Sequence, residues 1–456
     1  MRAIALAMLA AIAAAAAGAA GCSGKAGARR SRDAGPSVVI VDRGASGVEL
    51  VAEKEPDDET AQVLALPGGA KGAIDKAGDV DKYEVEVTQA GTLSVKLTGV
   101  ADADLALELQ DAAGTRLAQS DNGSAGTGEG FPNLVVQPGR YRAVISEFVK
   151  KPPKKKPPRS KKGAPDAAPE PVPGARTAPS APYTIEFALG PLPVEGEEIE
   201  PNDSAAFASP LALPGSARGF AGWRKDKDFW KVPLTGVGED EALSIDVDGV
   251  ADVALRVAVL DGTEAVLLER QGKAGEAVAL RNVAVRAGEP HYYVTVSATA
   301  RGNPDEKYEV RAASAPLELD EETEPNDKPA TAGPLADIPS DGGTRVGFLG
   351  RGDVDMYKLD PADGPRELHL TVEPPAGVDV VLSVVDAQGA PVTASADAGG
   401  AGAPEKLQGV PVPPKAVLYV KLTAKSGGEG SERYRLRWSA APAEAAAPVP
   451  GIDDGQ

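Results

Sequence analysis

The sequence predicts an all-β protein made of three tandem antiparallel β-sandwich domains. Short segments in which apolar and polar residues alternate recur along the chain, and this period of two is typical of half-buried strands. Glycine and proline account for 52 and 40 of the 456 residues and separate these segments as turns. One ordered set of motifs also occurs three times, which indicates three copies of one domain.

Each repeat opens on an acidic hexamer and continues with a motif that contains two aspartates. The hexamers are "EKEPDD" at 53–58, "EIEPND" at 198–203 and "ETEPND" at 322–327. The two-aspartate motifs are "GDVDKY" at 78–83, "KDKDFW" at 225–230 and "GDVDMY" at 352–357. Because the two motifs recur in the same order, the hexamer marks where each domain begins.

Strand-like segments complete each repeat. An alternating segment is followed by an apolar segment that breaks at an Asp and Gly turn, and two late segments carry tyrosine. Each copy can close its own core, so the copies are expected to form successive domains and not a solenoid. The predicted divisions are a signal peptide at 1–21, a flexible tether at 22–46, β-sandwiches at 47–190, 195–317 and 320–440, and a disordered tail at 441–456.

Charge and composition exclude several functions. The net charge of -19 argues against nucleic-acid binding, because an acidic surface repels phosphate. His291 and His369 are the only histidines and Cys22 is the only cysteine. Disulfides within the chain, Cys-rich zinc sites and histidine-based catalytic clusters are therefore not expected, and neither is enzymatic activity.

The N-terminus predicts export. Arg2 precedes a long apolar run, which ends in small residues before Cys22. This arrangement resembles the lipobox of bacterial lipoproteins, in which the cysteine is acylated and becomes the mature N-terminus. Ser23 at the following position is similar to lipoproteins released to the outer membrane. The alternative is an ordinary secretory signal with an unrelated cysteine.

The acidic motifs are candidate cation sites. Residues i and i+2 of an extended segment face the same side, so the paired acids of each motif point together. If the motifs meet, a hard cation such as Ca²⁺ would relieve the repulsion between carboxylates. The candidate ligands are Glu53, Glu55, Asp57, Asp79, Asp81, Glu198, Glu200, Asn202, Asp226, Asp228, Glu322, Glu324, Asn326, Asp353 and Asp355.

Two alternatives to calcium stay open. Acids beside proline and glycine are good turn formers and are usually solvated. In the second repeat, Arg224, Lys225 and Lys227 offer salt bridges that would make a metal unnecessary, so calcium is expected more readily in the first and third repeats. An ion at any of these places would be structural, because no nucleophile or base accompanies the acids.

A basic, proline-rich insertion at 149–181 interrupts the first domain between its last two strands. Prolines favour an extended polyproline II conformation here. The insertion either binds an anionic surface or partner, or is a tolerated low-complexity loop. Its basic residues are Lys150, Lys151, Lys154, Lys155, Lys156, Arg159, Lys161 and Lys162.

The ordered set E-x-E-P-N-D, G-D-x-D-x-Y, D-x-x-G and a tyrosine-containing late strand resembles the bacterial pre-peptidase C-terminal domain. That family has a jelly-roll-like sandwich, is often appended to secreted proteases and is related to the collagen-binding domains of clostridial collagenases. The resemblance covers nearly all of residues 47–440 in three copies. It implies an extracytoplasmic, non-catalytic role, with calcium held at the matching acidic positions.

We therefore expect a lipid-anchored envelope protein whose repeated domains bind polysaccharide or protein, with membrane contact through the lipid and no nucleic-acid partner. Repeated weak sites on linked domains would raise avidity. The alternative is an accessory or targeting subunit of a separately encoded secreted protease.

Overall fold

The computed structural model describes residues 47–56, 59–148, 178–336 and 341–442. The predicted signal peptide, Cys22, the tether, Asp57, the basic residues of the insertion and the chain beyond residue 442 lie outside these ranges. Within them, no helix has the length and apolar character that a membrane span requires.

The first pair of sheets, here called module 1, contains strands β1 to β10. Their bounds are Leu50–Ala52, Gln62–Leu64, Gly68–Gly72, Val80–Val87, Gly91–Leu97, Leu105–Asp111, Arg116–Ser120, Glu129–Val136, Gly139–Glu147 and Tyr183–Gly190. One sheet has the order β1-β3-β10-β5-β8 and the other has the order β2-β4-β9-β6-β7.

Module 2 contains strands β11 to β19 and a short 3-10 turn at Ala205–Phe207. The strands are Ser209–Pro210, Gly215–Gly219, Lys227–Pro233, Glu241–Val247, Ala254–Leu260, Val266–Ala274, Val278–Ala284, His291–Ala298 and Tyr308–Pro316. The two sheets have the orders β12-β19-β14-β17 and β11-β13-β18-β15-β16.

Module 3 contains strands β20 to β27. They are Gly333–Pro334, Gly342–Gly350, Val354–Leu359, Arg366–Glu373, Asp379–Asp386, Glu405–Val412, Leu418–Ser426 and Glu429–Pro442. The two sheets have the orders β21-β27-β23-β25 and β20-β22-β26-β24.

The three modules share one topology. The sheets β3-β10-β5-β8, β12-β19-β14-β17 and β21-β27-β23-β25 follow the same chain order. Their partner sheets also agree, except that the described part of module 3 has no strand equivalent to β7 and β16. Pairings between the long strands are antiparallel. The predicted fold class of tandem antiparallel β-sandwiches is thus confirmed, whereas the residue limits given for each domain stay predictions.

Each module encloses an apolar core of alternating strand residues. The cores are made mainly of Val, Leu and Ile, and they include fully buried tyrosines such as Tyr83, Tyr308 and Tyr434. An aromatic side chain of module 2 reaches into module 1. Trp223 of module 2 joins the core of module 1, where its ring lies 5.5 Å from that of Phe131 in an edge-to-face arrangement. The first two modules therefore share apolar packing.

A buried glutamate supports this contact. Glu129 begins β8 and is 1% exposed, and its carboxylate accepts hydrogen bonds from Ser120 Oγ at 2.5 Å and Asn122 N at 2.9 Å. Asn122 Oδ1 then accepts a hydrogen bond from Gly302 N of module 2 at 2.9 Å. Burial raises the pKa of Glu129 to about 7, although its two hydrogen bonds oppose the rise.

We predict that Glu129 makes the stability of module 1 depend on pH. Since its folded pKa of about 7 exceeds the ordinary value of 4.5, the folded state holds a proton that the unfolded chain releases in this range. The stabilisation is complete below the ordinary value and is lost as pH rises through 7. Glu129→Gln should flatten this decline in urea unfolding.

The matched control is Glu86→Gln, at an exposed position on β4. It should leave the pH dependence of unfolding unchanged. A wild-type protein with the same pH dependence as the Glu129→Gln variant would contradict the assignment.

Candidate functional site

The hexamer and the two-aspartate motif lie side by side in every module. Phe229 N donates to Asn202 O at 3.1 Å in module 2, and Met356 N donates to Asn326 O at 3.2 Å in module 3. The Glu–Pro bond of each hexamer is cis. Carboxylate oxygens from both motifs lie within 4.8 Å of one another in three sets, which are Glu53, Glu55 and Asp81; Glu198, Glu200 and Asp228; and Glu324, Asp353 and Asp355.

Two buried tyrosines hold the acidic cluster of module 1. Tyr83 Oη donates to Glu53 Oε1 at 2.7 Å, and Tyr183 Oη donates to Asp81 Oδ2 at 2.5 Å. The two hydroxyls lie 3.0 Å apart. Glu55, in contrast, is exposed, so this cluster is open to solvent on one side.

Asp79 belongs to a second acidic group in module 1. A carboxylate oxygen of Asp79 lies within 4.8 Å of oxygens of Glu55 and Asp75. Its Oδ2 accepts a hydrogen bond from Asp75 N at 2.6 Å, and its Oδ1 lies 3.3 Å from Lys76 Nζ. Asp75 was not among the candidate ligands, because it lies outside both motifs.

The cluster of module 2 is buried on all sides. Glu198, Glu200, Asn202, Asp226 and Asp228 are each at most 2% exposed. Neither Glu198 Oε2 nor Asp226 Oδ1 has a hydrogen-bond partner in the described part of the chain. One end of the Asn202 amide lies 3.2 Å from both Glu200 Oε1 and Asp228 Oδ1. As nitrogen it would donate to both, and as oxygen it would complete an oxygen-only ligand set.

The cluster of module 3 contains a cation supplied by module 2. Arg270, on β16, donates from Nη2 to Glu324 Oε1 at 3.0 Å and forms an ion pair with Asp353 Oδ2. Its side chain is only 12% exposed. Within the described ranges, neither oxygen of Asp355 accepts a hydrogen bond of normal geometry. The guanidinium therefore neutralises part of a cluster that still holds an unsatisfied carboxylate.

Glu322 occupies the tyrosine end of the same cluster. Its Oε2 accepts hydrogen bonds from Tyr434 Oη at 2.9 Å, Tyr357 Oη at 3.2 Å and Asn326 Nδ2 at 3.3 Å. Its Oε1 accepts one from Phe348 N at 2.5 Å. This glutamate is thus saturated by protein donors, unlike Asp355.

Burial raises the pKa of the carboxyl groups in modules 2 and 3. The pKa reaches about 7 for Glu200 and Glu322 and about 9 for Glu324. It also lies well above the ordinary range for Glu198, Asp226, Asp228 and Asp355, where burial is the main cause and neighbouring carboxylates add to it. The clusters of modules 2 and 3 thus favour a proton or a cation at these oxygens.

The basic residues that flank the module 2 motif do not form the salt bridges that the sequence offered as one alternative to a metal. In the described residues no ion pair joins Arg224, Lys225 or Lys227 to the buried aspartates, and Lys227 Nζ instead lies 4.5 Å from the centre of the Phe229 ring. Lys227 alternates with the aspartates at the start of β13 and so faces away from them, whereas Lys225 is exposed in a turn with a φ of +70°.

The sequence analysis did not predict the side chains outside the acidic residues that bind each cluster. A recurring aromatic pair could have indicated some of them, with one residue in the two-aspartate motif and one in the last strand of each module. The pairs are Tyr83 with Tyr183, Trp230 with Tyr308, and Tyr357 with Tyr434. Arg270 had no such signal, because it occurs in one module only and acts on the next.

The hexamers of modules 2 and 3 also dock onto the preceding module. Val135 N of β8 donates to Glu200 O at 3.0 Å, and Ala284 N of β17 donates to Glu324 O at 2.9 Å. Each contact is a parallel β-bridge. The segment that carries the candidate ligands is therefore also the joint between modules.

Comparison with known proteins identifies part of this architecture. The family model of the bacterial pre-peptidase C-terminal domain matches residues 79–147, which run from the two-aspartate motif of module 1 to the end of β9. The resemblance is thus confirmed for this part of module 1. No curated protein matches the chain.

Several solved structures are similar to the chain. One is the pre-peptidase C-terminal domain of collagenase from Bacillus anthracis, with 13% identity over 30% of this chain and 99% of that one and a TM-score of 0.20. Another is a putative secreted protein from Eubacterium rectale, with 8% identity, coverage of 52% and 81%, and a TM-score of 0.18. The PBSX exported protein XepA has 10% identity, coverage of 56% and 90%, and a TM-score of 0.16.

We predict that Tyr308→Phe destabilises module 2. The Tyr308 hydroxyl donates to Asp228 Oδ2 at 2.5 Å and accepts a hydrogen bond from Trp230 Nε1 at 2.9 Å. Its loss leaves two buried groups unsatisfied, at a cost of about 1–3 kcal/mol each. Urea unfolding of the full chain measures this loss.

The control is Tyr293→Phe in the same module. Tyr293 is 8% exposed, and no hydrogen bond of its hydroxyl occurs among the described residues. This change should alter the free energy of unfolding by less than about 0.5 kcal/mol. Equal effects of the two substitutions would show that the Tyr308 hydroxyl does not support the cluster.

Proposed function

We propose that the chain is a non-catalytic, exported binding protein of the cell envelope that presents its three sandwich modules to polysaccharide or protein. The observation that carries this proposal is the pre-peptidase C-terminal domain match in module 1, in a chain that repeats the same topology in two further modules. Domains of that family serve as accessory modules. Weak sites repeated on linked modules raise avidity without one deep pocket.

Export and anchoring rest on the N-terminal sequence. The apolar run before Cys22 supports a signal peptide, and acylation of Cys22 would anchor the protein in the outer membrane. The basic insertion, with eight Lys and Arg residues between Lys150 and Lys162, offers an electrostatic contact to an anionic surface.

Structural calcium is proposed for module 2 first. Glu198, Glu200 and Asp228 offer converging oxygens, and Asn202 places one end of its amide at the same point. Oxygen-only sets of this kind suit Ca²⁺, which supplies the charge that buried carboxylates need. The residues present therefore fit the ion, and its role would be to fix the start of the module.

The other two clusters differ in how they would treat calcium. In module 1, Glu53, Glu55 and Asp81 converge at a solvent-accessible position. In module 3, Arg270 already pairs with Glu324 and Asp353, two of the three converging acids. We therefore place calcium in modules 1 and 2 and an internal cation in module 3, which changes the ranking expected from sequence.

We predict that calcium binds the chelator-treated protein and raises its melting temperature. Binding to the folded state alone stabilises by about 2.7 kcal/mol when calcium is about 100 times Kd. Calorimetric titration of Asp228→Asn should show fewer sites than the wild type. Asp355→Asn is the matched control, and it should keep the wild-type number because Arg270 occupies that cluster.

Two results would overturn the calcium proposal or its distribution. If titration releases or absorbs no heat and the melting temperature is unchanged, the protein does not bind calcium. A loss of binding in Asp355→Asn equal to that in Asp228→Asn would show that Arg270 does not substitute for the ion.

We predict that the purified full-length chain co-sediments with insoluble cell-wall polysaccharide or with fibrillar collagen. Saturable binding to either supports the binding function. Stoichiometric co-purification of a protease from the native host, with no binding to either material, would favour the alternative of a protease accessory subunit.

In the native host, Cys22→Ser should move the protein from the membrane fraction to the soluble fraction, because the cysteine that would carry the lipid is gone. Unchanged fractionation would contradict lipid anchoring.

A further inference from the structure

Each module ends one sheet on an edge strand with the same irregularity. The strands are β8, β17 and β25, and each carries two residues opposite a single residue of its neighbour, which is a β-bulge. The register shifts lie between Leu93 and Val95, between Leu243 and Ile245, and between Leu368 and Leu370. The three strands can therefore be compared residue by residue.

Three consecutive positions matter in this comparison. The second residue of the bulge is here called the bulge position, and the next two are the bridge position and the donor position. They are Asn133, Leu134 and Val135 in module 1; Asn282, Val283 and Ala284 in module 2; and Gly409, Val410 and Pro411 in module 3. The bridge residues pair in the same way with Leu93, Leu243 and Leu368.

Modules 1 and 2 use these positions to receive the hexamer of the next module. The donor-position N–H groups of Val135 and Ala284 donate to the carbonyls of Glu200 and Glu324. In the second joint, Glu324 N also donates to Asn282 O at 2.8 Å, which completes a two-bond bridge.

The bulge-position asparagines add a side-chain bond to the first glutamate of the same hexamer. Asn133 Nδ2 donates to Glu198 Oε1, and Asn282 Nδ2 donates to Glu322 O at 3.1 Å. Both joints therefore combine a backbone donor with an asparagine, although the two modules share little sequence in these strands.

Module 3 lacks both groups. Pro411 at the donor position has no N–H, so it cannot make the bond that Val135 and Ala284 make. Gly409 at the bulge position has no side chain, and its own N–H donates to His369 Nδ1 at 3.2 Å. Proline on an exposed edge is a common device against unwanted strand pairing.

No steric constraint requires glycine at position 409. A Cβ at Gly409 would meet no atom within 4 Å, and its φ of +67° is close to the +53° of Asn282 at the same position of module 2. Asparagine tolerates this left-handed conformation. The backbone of module 3 thus has the shape of an accepting edge but not its donors.

We propose that two positions on the bulged edge strand decide whether a module accepts an acidic hexamer. A strand with asparagine at the bulge position and a backbone N–H at the donor position accepts the hexamer. A strand with glycine at the bulge position and proline at the donor position does not. The edge of β25 is therefore closed to this mode of docking, and the partner that it excludes is the hexamer of a second copy of this chain.

The test places the module 3 residues in the second joint of the full chain. Ala284→Pro and Asn282→Gly should each release the hexamer at 322–327, and hydrogen exchange read by mass spectrometry should become about tenfold faster there, as expected for one lost hydrogen bond. Glycine fits the left-handed position of Asn282, so that variant keeps its fold. Amides of β14 and β19 report whether module 2 stays folded.

The matched controls are Gly409→Asn and Pro411→Ala in module 3, which should leave exchange at 322–327 unchanged. Two outcomes would overturn the proposal. One is wild-type protection of the hexamer in both joint variants while β14 and β19 remain protected. The other is chemical cross-linking of β25 to residues 53–55 of a second wild-type molecule.

Discussion

The structure depends on the burial of several carboxylates at one place in each module. Removing a charge from water is unfavourable unless hydrogen bonds or an opposite charge replace the lost hydration. Modules 2 and 3 bury four such groups each, and all of them are at most 4% exposed. Tyrosine hydroxyls, backbone N–H groups and Arg270 meet part of this demand. Among the described residues, one oxygen of Glu198, one of Asp226 and both of Asp355 have no hydrogen-bond partner, which leaves part of this demand to a proton or a cation.

The same acids explain why consecutive modules are not structurally independent of one another. A hexamer that begins one module also bridges to the edge strand of the module before it, so its glutamates are covered from both sides. Glu55 is the equivalent residue of module 1, and it is exposed. This agrees with the burial of Glu200 and Glu324 by the module that precedes each of them. Trp223 and Arg270 strengthen the two joints by different means, the first through apolar packing and the second through charge. The need to neutralise the buried acids of a module is therefore linked to its contact with the module before it.

The fold could be predicted because its signals are local and repeated. Alternation identified the strands, and the hexamers and two-aspartate motifs identified the repeats and were expected to converge, as they do. The counter-charge could not be predicted. In module 2, sequence proximity suggested Lys225 and Lys227, but Lys227 alternates with the aspartates along β13 and Lys225 is exposed in the preceding turn. The true partner, Arg270, lies 54 residues before Glu324 and in another module, and only the folded arrangement brings the two together. The docking role of the hexamers could not be predicted either, because the asparagine and the backbone N–H that receive each hexamer become comparable between modules only once the strand register places them at the same bulge.

The central proposal is that each buried acidic cluster has its own source of positive charge, which is Arg270 in module 3 and would be a calcium ion in module 2. The most direct test is a crystal structure of the calcium-treated protein with anomalous data collected at long wavelength. The account predicts a calcium peak among Glu198, Glu200 and Asp228, and Arg270 still paired with Glu324 and Asp353. A calcium peak in the module 3 cluster with Arg270 displaced, or no peak in module 2, would contradict it.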